Sequence, residues 1–448
     1  MAPPLPVPPI TAPPALRRSL QLPHAAAMVI GTIIGASIFV QPSEVTGAVP
    51  SVSGVFLVWA IAGLLTLFGA LICAELSSAF PEAGGVYAFL SRAWSPAVGF
   101  LWGWAMFWTM HSGIIAAIAT VFARYLAYFA PLGDIGTRIV AIGVIVILSA
   151  INYVGVRHGS LLQTAFTAGK LVAVLLMIVV AFTLGARVPE HFAGGTTPLA
   201  GVPLRDTLLA LVAGLFAFGG WHMVTYTAEE TVDAERTIPR ALFIGVMVVT
   251  AAYIALNAAY LYVLPLDTVA RSTRVAADAA DALLGRGGGN VMAGLVMFST
   301  FGAVSGIILT GPRVYYAMAR DGLLFPWVAA VHPRFQTPHV AIVLQALWAS
   351  FLVATGTFRA LFTRVVYTEW IFFGVMSLGL IALRRRSEYA PRYRVWGYPV
   401  VPVLFALSSG AIVVNQVITA PGESAAGLGL VAAGLPVYLL WRRRASAS

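Results

Sequence analysis

The stretch Gly31–Phe39, GTIIGASIF, decides the reading of this chain. It lies inside an apolar segment that begins near Leu22, where hydrophobicity alone predicts an uninterrupted helix. Gly31 and Gly35 lack Cβ atoms and accept backbone conformations that other residues resist, and the small Ala36 and Ser37 follow them. A second interruption, FAFGGWH at Phe216–His222, sits inside another apolar segment far downstream. Two glycine-interrupted hydrophobic segments in corresponding halves of a membrane protein point to a binding site near the bilayer midplane. For Gly31 and Gly35 the competing reading is a GxxxG packing face between straight helices. The adjacent Gly219 and Gly220 are both poor helix formers and fit that reading less readily.

The surrounding chain fits a membrane environment. Of 448 residues, 59% are hydrophobic and only 10% charged, against roughly 25% charged in soluble domains. Mean hydropathy is +0.88, and many windows reach the ~20 apolar residues that span a bilayer. In order, the apolar runs predict an all-α polytopic protein of about twelve spans, near 24–41, 52–79, 97–129, 137–154, 160–185, 205–230, 240–264, 289–319, 339–356, 361–383, 399–419 and 424–441. Pro81–Pro96, PEAGGVYAFLSRAWSP, holds too many breakers to span. Pro265–Gly289, with VAADAADALLG, predicts a short amphipathic surface helix, either a cap over an outer vestibule or a passive connector.

The breaks open segments one and six, so five segments per half place them at equivalent positions in two oppositely oriented repeats. The expected organisation is a disordered proline-rich tail over 1–21 and one transmembrane domain over 22–448. Within it the inverted repeats run over about 22–185 and 205–383, and the extra helices over about 399–441. No letter-by-letter similarity links the halves.

The net charge of +10 is a matter of topology, not of nucleic acid. Sixteen arginines fall in or beside segments on one side of this layout, among them Arg17, Arg18, Arg384, Arg385, Arg386 and Arg442, against about nine on the other. The positive-inside rule then puts both termini in the cytoplasm. Cys73 is the one cysteine, which excludes an intrachain disulfide and argues against thiolate metal ligation. The N-terminal MAPPLPVPPITAPPAL has neither the charged start nor the apolar core of a signal peptide. No nucleophile–base set, phosphate loop, paired carboxylate or metal-ligand spacing is evident, so neither an enzyme nor a bound cofactor or metal is expected.

An unwound helix leaves N–H groups at the start of one half and C=O groups at the end of the other. In hydrocarbon such backbone survives only where it is buried or lines a cavity. Amides around Gly35, Ala36 and Ser37 sit at a positive dipole end suited to an anionic oxygen. Carbonyls of Ile33, Phe216 and Gly219 suit an ammonium. A ligand carrying both charges a few ångströms apart is an α-amino acid.

Lys170 is the single lysine among 27 basic residues and lies inside the fifth apolar segment. Intramembrane charges usually face the protein interior and serve function, and lysine, unlike arginine, can shed its proton when buried. Lys170 is expected to tie the broken first helix to the fifth and eighth, with Ser299 or Ser305 accepting from it. Snorkelling to the interface is the alternative. Glu75, Glu229, Glu230 and Arg313 near helix ends read as interhelix ion pairs or gates. His111 reads as a packing residue, and His222, beside the second break, as a contact for substrate or proton.

These residues resemble a known family. GTIIGASIFVQP looks like the first-helix motif of the amino acid–polyamine–organocation superfamily, and FAFGGWHMVTYTAEE brings it especially close to the L-type amino acid transporters and their bacterial relatives. PEAGGVYAFL, GPRVYYAMARDGLLFP and PRYRVWGYPVVPVLF also match, so the resemblance runs from about Leu22 to Phe405. It implies the five-plus-five inverted-repeat fold with broken helices 1 and 6 and two added helices. Backbone amides of Ala36 and Ser37 would hold the substrate carboxylate, and the carbonyls of Ile33, Phe216 and Gly219 its ammonium. Trp221 and Phe218 would shape or gate the side-chain pocket, and Tyr253 matches a substrate-binding tyrosine, a core aromatic being the alternative. Lys170 would occupy the place of a sodium ion in sodium-coupled cousins. Ser37 replaces the usual glycine, and His222 stands where many relatives carry asparagine. Animal light subunits join a heavy chain through an outer-loop cysteine, but Cys73 lies within the second segment, so no disulfide-linked partner is expected.

The resulting expectation is a sodium-independent exchanger of neutral amino acids in the cell (inner) membrane, working by alternating access. No acidic residue is evident to receive a cationic side chain. Proton-coupled symport and a cationic or broad-range exchanger are the alternatives, and a sensor or channel the reading from another class.

Overall fold

The computed structural model describes residues 16–127, 129–185, 188, 191, 201–285, 287–357 and 367–445. Helices of bilayer-spanning length and apolarity cover Val52–Ala79, Pro96–Leu126, Asp134–Val154, Val156–Leu184, Leu204–Glu230, Ala234–Val263, Gly288–Arg320, Val400–Thr419 and Pro421–Arg442. Shorter apolar helices cover Leu22–Ile33, His339–Thr355 and Thr368–Leu383. In chain order these are the twelve spans expected, and they are numbered so below. The 361–366 start expected for the tenth span, and the tail before residue 16, lie outside the described residues.

The helices begin and end where the local chemistry requires. Ser51 caps the second span by accepting from the Gly54 amide. The span stops at Ala79, just before Pro81, because proline cannot continue the ladder. The non-spanning stretch after it carries only the short helix Val86–Ala93. Pro265–Gly289 carries two short helices, Leu266–Arg271 and Val275–Leu284. The first packs on Gln41–Ala48 and the second on the eighth span.

The second and seventh spans pack along one another, and the first half of span one lies against spans five, seven and eight. Spans three, four, eight and nine pack together beside them. Large apolar side chains left exposed, such as Val172, Leu175, Leu176, Leu347, Leu407 and Val414, sit on spanning helices. A bilayer provides the solvent for such a face.

The tail expected to stay free through residue 21 is docked from Leu16 onward. Leu16 and Leu20 are buried. The Ser19 and Leu20 amides donate to the Glu230 carbonyl at 2.9 and 3.0 Å, and the Val232 amide donates to the Leu20 carbonyl at 2.8 Å. The chain leaving span six thereby holds the entry to span one.

At this same end the acidic residues singled out in the sequence find arginines. Glu230 and Arg313 are both fully buried, with Arg313 Nε and Nη2 donating to the two carboxylate oxygens at 2.6 and 2.9 Å. Arg320 pairs with Glu229 at 2.8 Å. Glu75 receives Arg384 Nε at 2.8 Å and the Val395 amide at 2.6 Å. Removing one member of a buried pair strands the other, at about 3–5 kcal/mol, whereas replacing both by apolar groups is often neutral. Glu230→Ala is therefore expected to lower thermal stability in detergent sharply. The double variant Glu230→Met/Arg313→Leu recovers most of that loss if the pair is mainly structural.

Candidate functional site

The first span is broken as the sequence predicts. Its helix ends at Ile33, a 3-10 turn covers Ser37–Phe39, and helix resumes over Gln41–Ala48 with Pro42 in its first turn. At the end of the first half the Gly35 amide reaches back only to the Ile33 carbonyl, at 2.8 Å. The amides of Ala36 and Ser37 donate to no described residue. Those two N–H groups are the free donors that a helix restart leaves.

The two first-span glycines have different jobs. A Cβ on Gly31 would stand 2.2 Å from both Gln163 Nε2 and Thr167 Oγ1, whereas one on Gly35 would meet nothing closer than Ala303 Cβ at 3.8 Å. Gly31 is thus the close-packing glycine, against span five, and Gly35 marks the break. Both readings of the GxxxG spacing hold, one for each residue.

Carbonyls released by the break are claimed by side chains from three other spans. Lys170 Nζ donates to the Gly31 and Ile34 oxygens at 2.9 and 2.8 Å. Ser299 Oγ donates to the Gly35 oxygen at 3.2 Å. It therefore shares the first-span backbone with Lys170 and does not accept from it. Ser305 Oγ is buried without a partner. The Tyr253 hydroxyl lies 3.1 Å from both the Ile33 and the Ala217 oxygens, bridging the two breaks. The single Tyr253 hydroxyl hydrogen is shared between those two oxygens, and the Ile33 carbonyl also receives the Gly35 amide.

In span six the helix Leu204–Ala217 ends at a turn through Phe218–Gly220, and a 3-10 helix runs over Trp221–Glu230. Thr227, at φ −96° and ψ 16°, kinks this stretch into two short pieces, and mid-span 3-10 structure often marks a functional hinge. The strict glycine is Gly220, at φ +98°, not Gly219. A side chain there would be strained, and its Cβ would lie 3.1 Å from the Thr32 carbonyl oxygen. Thr32 Oγ1 in turn approaches the Gly220 oxygen at 3.2 Å, so the two breaks touch directly.

Between the breaks lies a cavity of about 460 Å³. Of the expected site residues, Ile33, Gly35, Ala36, Ser37, Phe216, Gly219, Trp221 and His222 line it. Phe218 and Tyr253 do not. Phe218 is fully buried against Trp59 and Tyr253, with ring centroids 6.3 and 5.0 Å away, so it braces the break from behind. His222 packs among Trp102, Trp221, Tyr226 and Phe373, and both its ring nitrogens are buried without partners. His111 is buried with Nδ1 3.2 Å from the Tyr315 hydroxyl.

The cavity also takes in residues that the sequence reading passed over. Ile114 and Ile118 come from span three, Ile307 from span eight, and Glu369, Trp370 and Phe373 from span ten. Nothing in an apolar stripe announces which isoleucine faces a cavity. Glu369 did carry a signal, being an ionisable residue in an apolar run, and it corrects the expectation that no acidic residue faces the pocket.

Two interrupted helices meeting at a cavity inside a polytopic bundle, with free amides on one side and carbonyls on the other, define a membrane transporter of the broken-helix kind. The sequence profile of the amino acid permease family matches residues 20–438. The chain belongs to that family, whose members are transporters and not enzymes. It is 31% identical over 439 residues to the human large neutral amino acids transporter small subunit 2, covering 95% of this chain and 81% of the relative. It is 32% identical over 413 residues to the human b(0,+)-type amino acid transporter 1, with 91% and 84% covered. The serine/threonine exchanger SteT of Bacillus subtilis is 31% identical over 437 residues, with 96% and 98% covered.

Two outcomes check this geometry. Lys170→Ala strips the ammonium from two buried carbonyls, and uptake falls far more than the amount of folded protein in the membrane; wild-type uptake would remove Lys170 from the mechanism. Gly220→Ala imposes φ strain of about 1–3 kcal/mol and abolishes most uptake, while Gly35→Ala, with ordinary contacts, retains folding.

Proposed function

We propose that this chain is a sodium-independent exchanger of α-amino acids that works by alternating access. The observation that carries the proposal is the pair of unbonded Ala36 and Ser37 amides lining the same cavity as the second break. The substrate carboxylate takes those two amides, with the Ser37 hydroxyl beside them. Its ammonium takes the carbonyls of Phe216 and Gly219, while Ile33, already bonded to Tyr253, supplies the wall. Trp221 and Phe216 border the space left for the side chain. These apolar surfaces accept uncharged side chains, in keeping with the name of the large neutral amino acids transporter.

Sodium independence rests on Lys170. Its ammonium is tethered at the Gly31 and Ile34 oxygens, where a bound cation would otherwise balance the break. The repeats are placed at about 22–185 and 205–383, with spans eleven and twelve outside them. Both termini are assigned to the cytoplasm and the protein to the cell (inner) membrane, on the arginine distribution. Cys73 is buried against Met376, with the sulfurs 3.7 Å apart, which is out of reach of a second chain, so no disulfide-linked heavy chain is assigned.

Besides the two breaks, the cavity is lined by the second half of span three and the first turns of span ten, at the end away from Glu75–Arg384. The opposite end is closed by Glu230–Arg313 and the docked tail. Exchange then requires those contacts to open with substrate bound. Counterflow in proteoliposomes tests the proposal: labelled amino acid enters only when unlabelled amino acid is inside, without sodium. Uptake driven by an imposed pH gradient into empty liposomes would favour proton symport instead.

A further inference from the structure

Glu369 sits in the first turn of span ten and lines the same cavity as Gly35–Ser37 and Phe216–His222. Its Oε1 is buried with no hydrogen-bond partner, and no described arginine or lysine pairs with it. Every other acidic residue named above, Glu75, Glu229 and Glu230, has an arginine. Trp370 and Phe373 follow on the same helix face and line the cavity too. His222 stands against Phe373, with ring centroids 4.9 Å apart, and offers two further buried nitrogens without partners.

Glu369 is half-buried, with one carboxylate oxygen, Oε1, shut off from donors; leaving such an oxygen unpaired is costly, and a cation placed against it relieves the cost. Among the described residues no arginine or lysine supplies that cation, so a proton or a cationic group entering the cavity can. The two ends of the amino acid backbone are already assigned to the helix breaks, which leaves the substrate side chain facing this wall. A leucine-like side chain gives Glu369 nothing. An ammonium or guanidinium gives it charge-assisted hydrogen bonds and lies against the faces of Trp370, Phe373 and Trp221, which attract cations.

We propose that Glu369 is a specificity-determining residue that favours amino acids with cationic side chains, such as arginine, lysine and ornithine, among those the cavity accepts. His222 serves as a second acceptor beside it. This rests on the substrate orientation proposed above, with carboxylate at Ala36 and Ser37. Neutral amino acids remain substrates, at lower specificity.

Equilibrium binding to purified protein in detergent, by scintillation proximity with labelled arginine and leucine, keeps this proposal separate from the exchange reading. Wild type is expected to prefer arginine over leucine. Glu369→Gln lowers that preference by about 10–100-fold, the loss of one charge-assisted contact, and Glu369→Asp restores part of it. An arginine-to-leucine ratio unchanged in Glu369→Gln overturns the role of Glu369 even where counterflow is intact. A lost ratio supports it even where counterflow is absent and the exchange reading has failed. Competition by citrulline, nearly isosteric with arginine but uncharged, needs no variant: citrulline is expected to compete at least tenfold more weakly than arginine, and equal competition overturns the proposal.

Discussion

Backbone that leaves the helix inside a bilayer must have its N–H and C=O groups satisfied by something other than water. In this protein the first break releases the carbonyls of Gly31, Ile33, Ile34 and Gly35, and side chains from spans five, seven and eight take them. The amides on the other side of the break receive no such partners. The two ends of the break therefore differ: the carbonyl end is anchored by side chains, and the amide end carries the unbonded N–H groups on which the proposed substrate site rests. Lys170 is the main anchor, and its burial is tolerable only because two dipolar oxygens meet it.

The second break is tied to the first in two places. Tyr253 O–H bridges the Ile33 and Ala217 oxygens, and Thr32 Oγ1 reaches the Gly220 oxygen. Movement of one half-helix is thereby felt by the other. The Trp221–Glu230 segment that follows ends at the Glu230–Arg313 pair and at the docked residues Ser19 and Leu20. Cavity and closed end are thus joined through one continuous stretch of chain, from Gly219 at the cavity to Glu230 eleven residues on.

The polar groups fall into two kinds. Those at the closed end, Glu75, Glu229, Glu230 and their arginines, are paired and define a conformation. Around the cavity, Glu369 Oε1 and both His222 ring nitrogens are buried with no hydrogen-bond partner among the described residues. Unpaired polar groups in a protein interior call for a reason, and a site that binds a charged solute provides one. Family membership places the chain among amino acid transporters, and the specificity proposed for Glu369 rests on this second set.

The sequence by itself determined the class of fold, because hydrophobic run length reports directly on bilayer crossing and paired glycines report on helix failure. It placed both breaks, the intramembrane Lys170, the acidic residues awaiting arginines and the line of amides at Ala36 and Ser37. It did not separate Gly31 from Gly35, or Gly219 from Gly220, because spacing cannot tell a close approach from a left-handed turn. Only the tertiary structure decided that Phe218 and Tyr253 stand behind the cavity, that Ser299 bonds backbone in place of Lys170, and that Glu369 faces the site. Each of these depends on the rotation of one helix against another, and an apolar run in lipid carries little periodicity to fix that rotation, since its outer and inner faces are both hydrophobic.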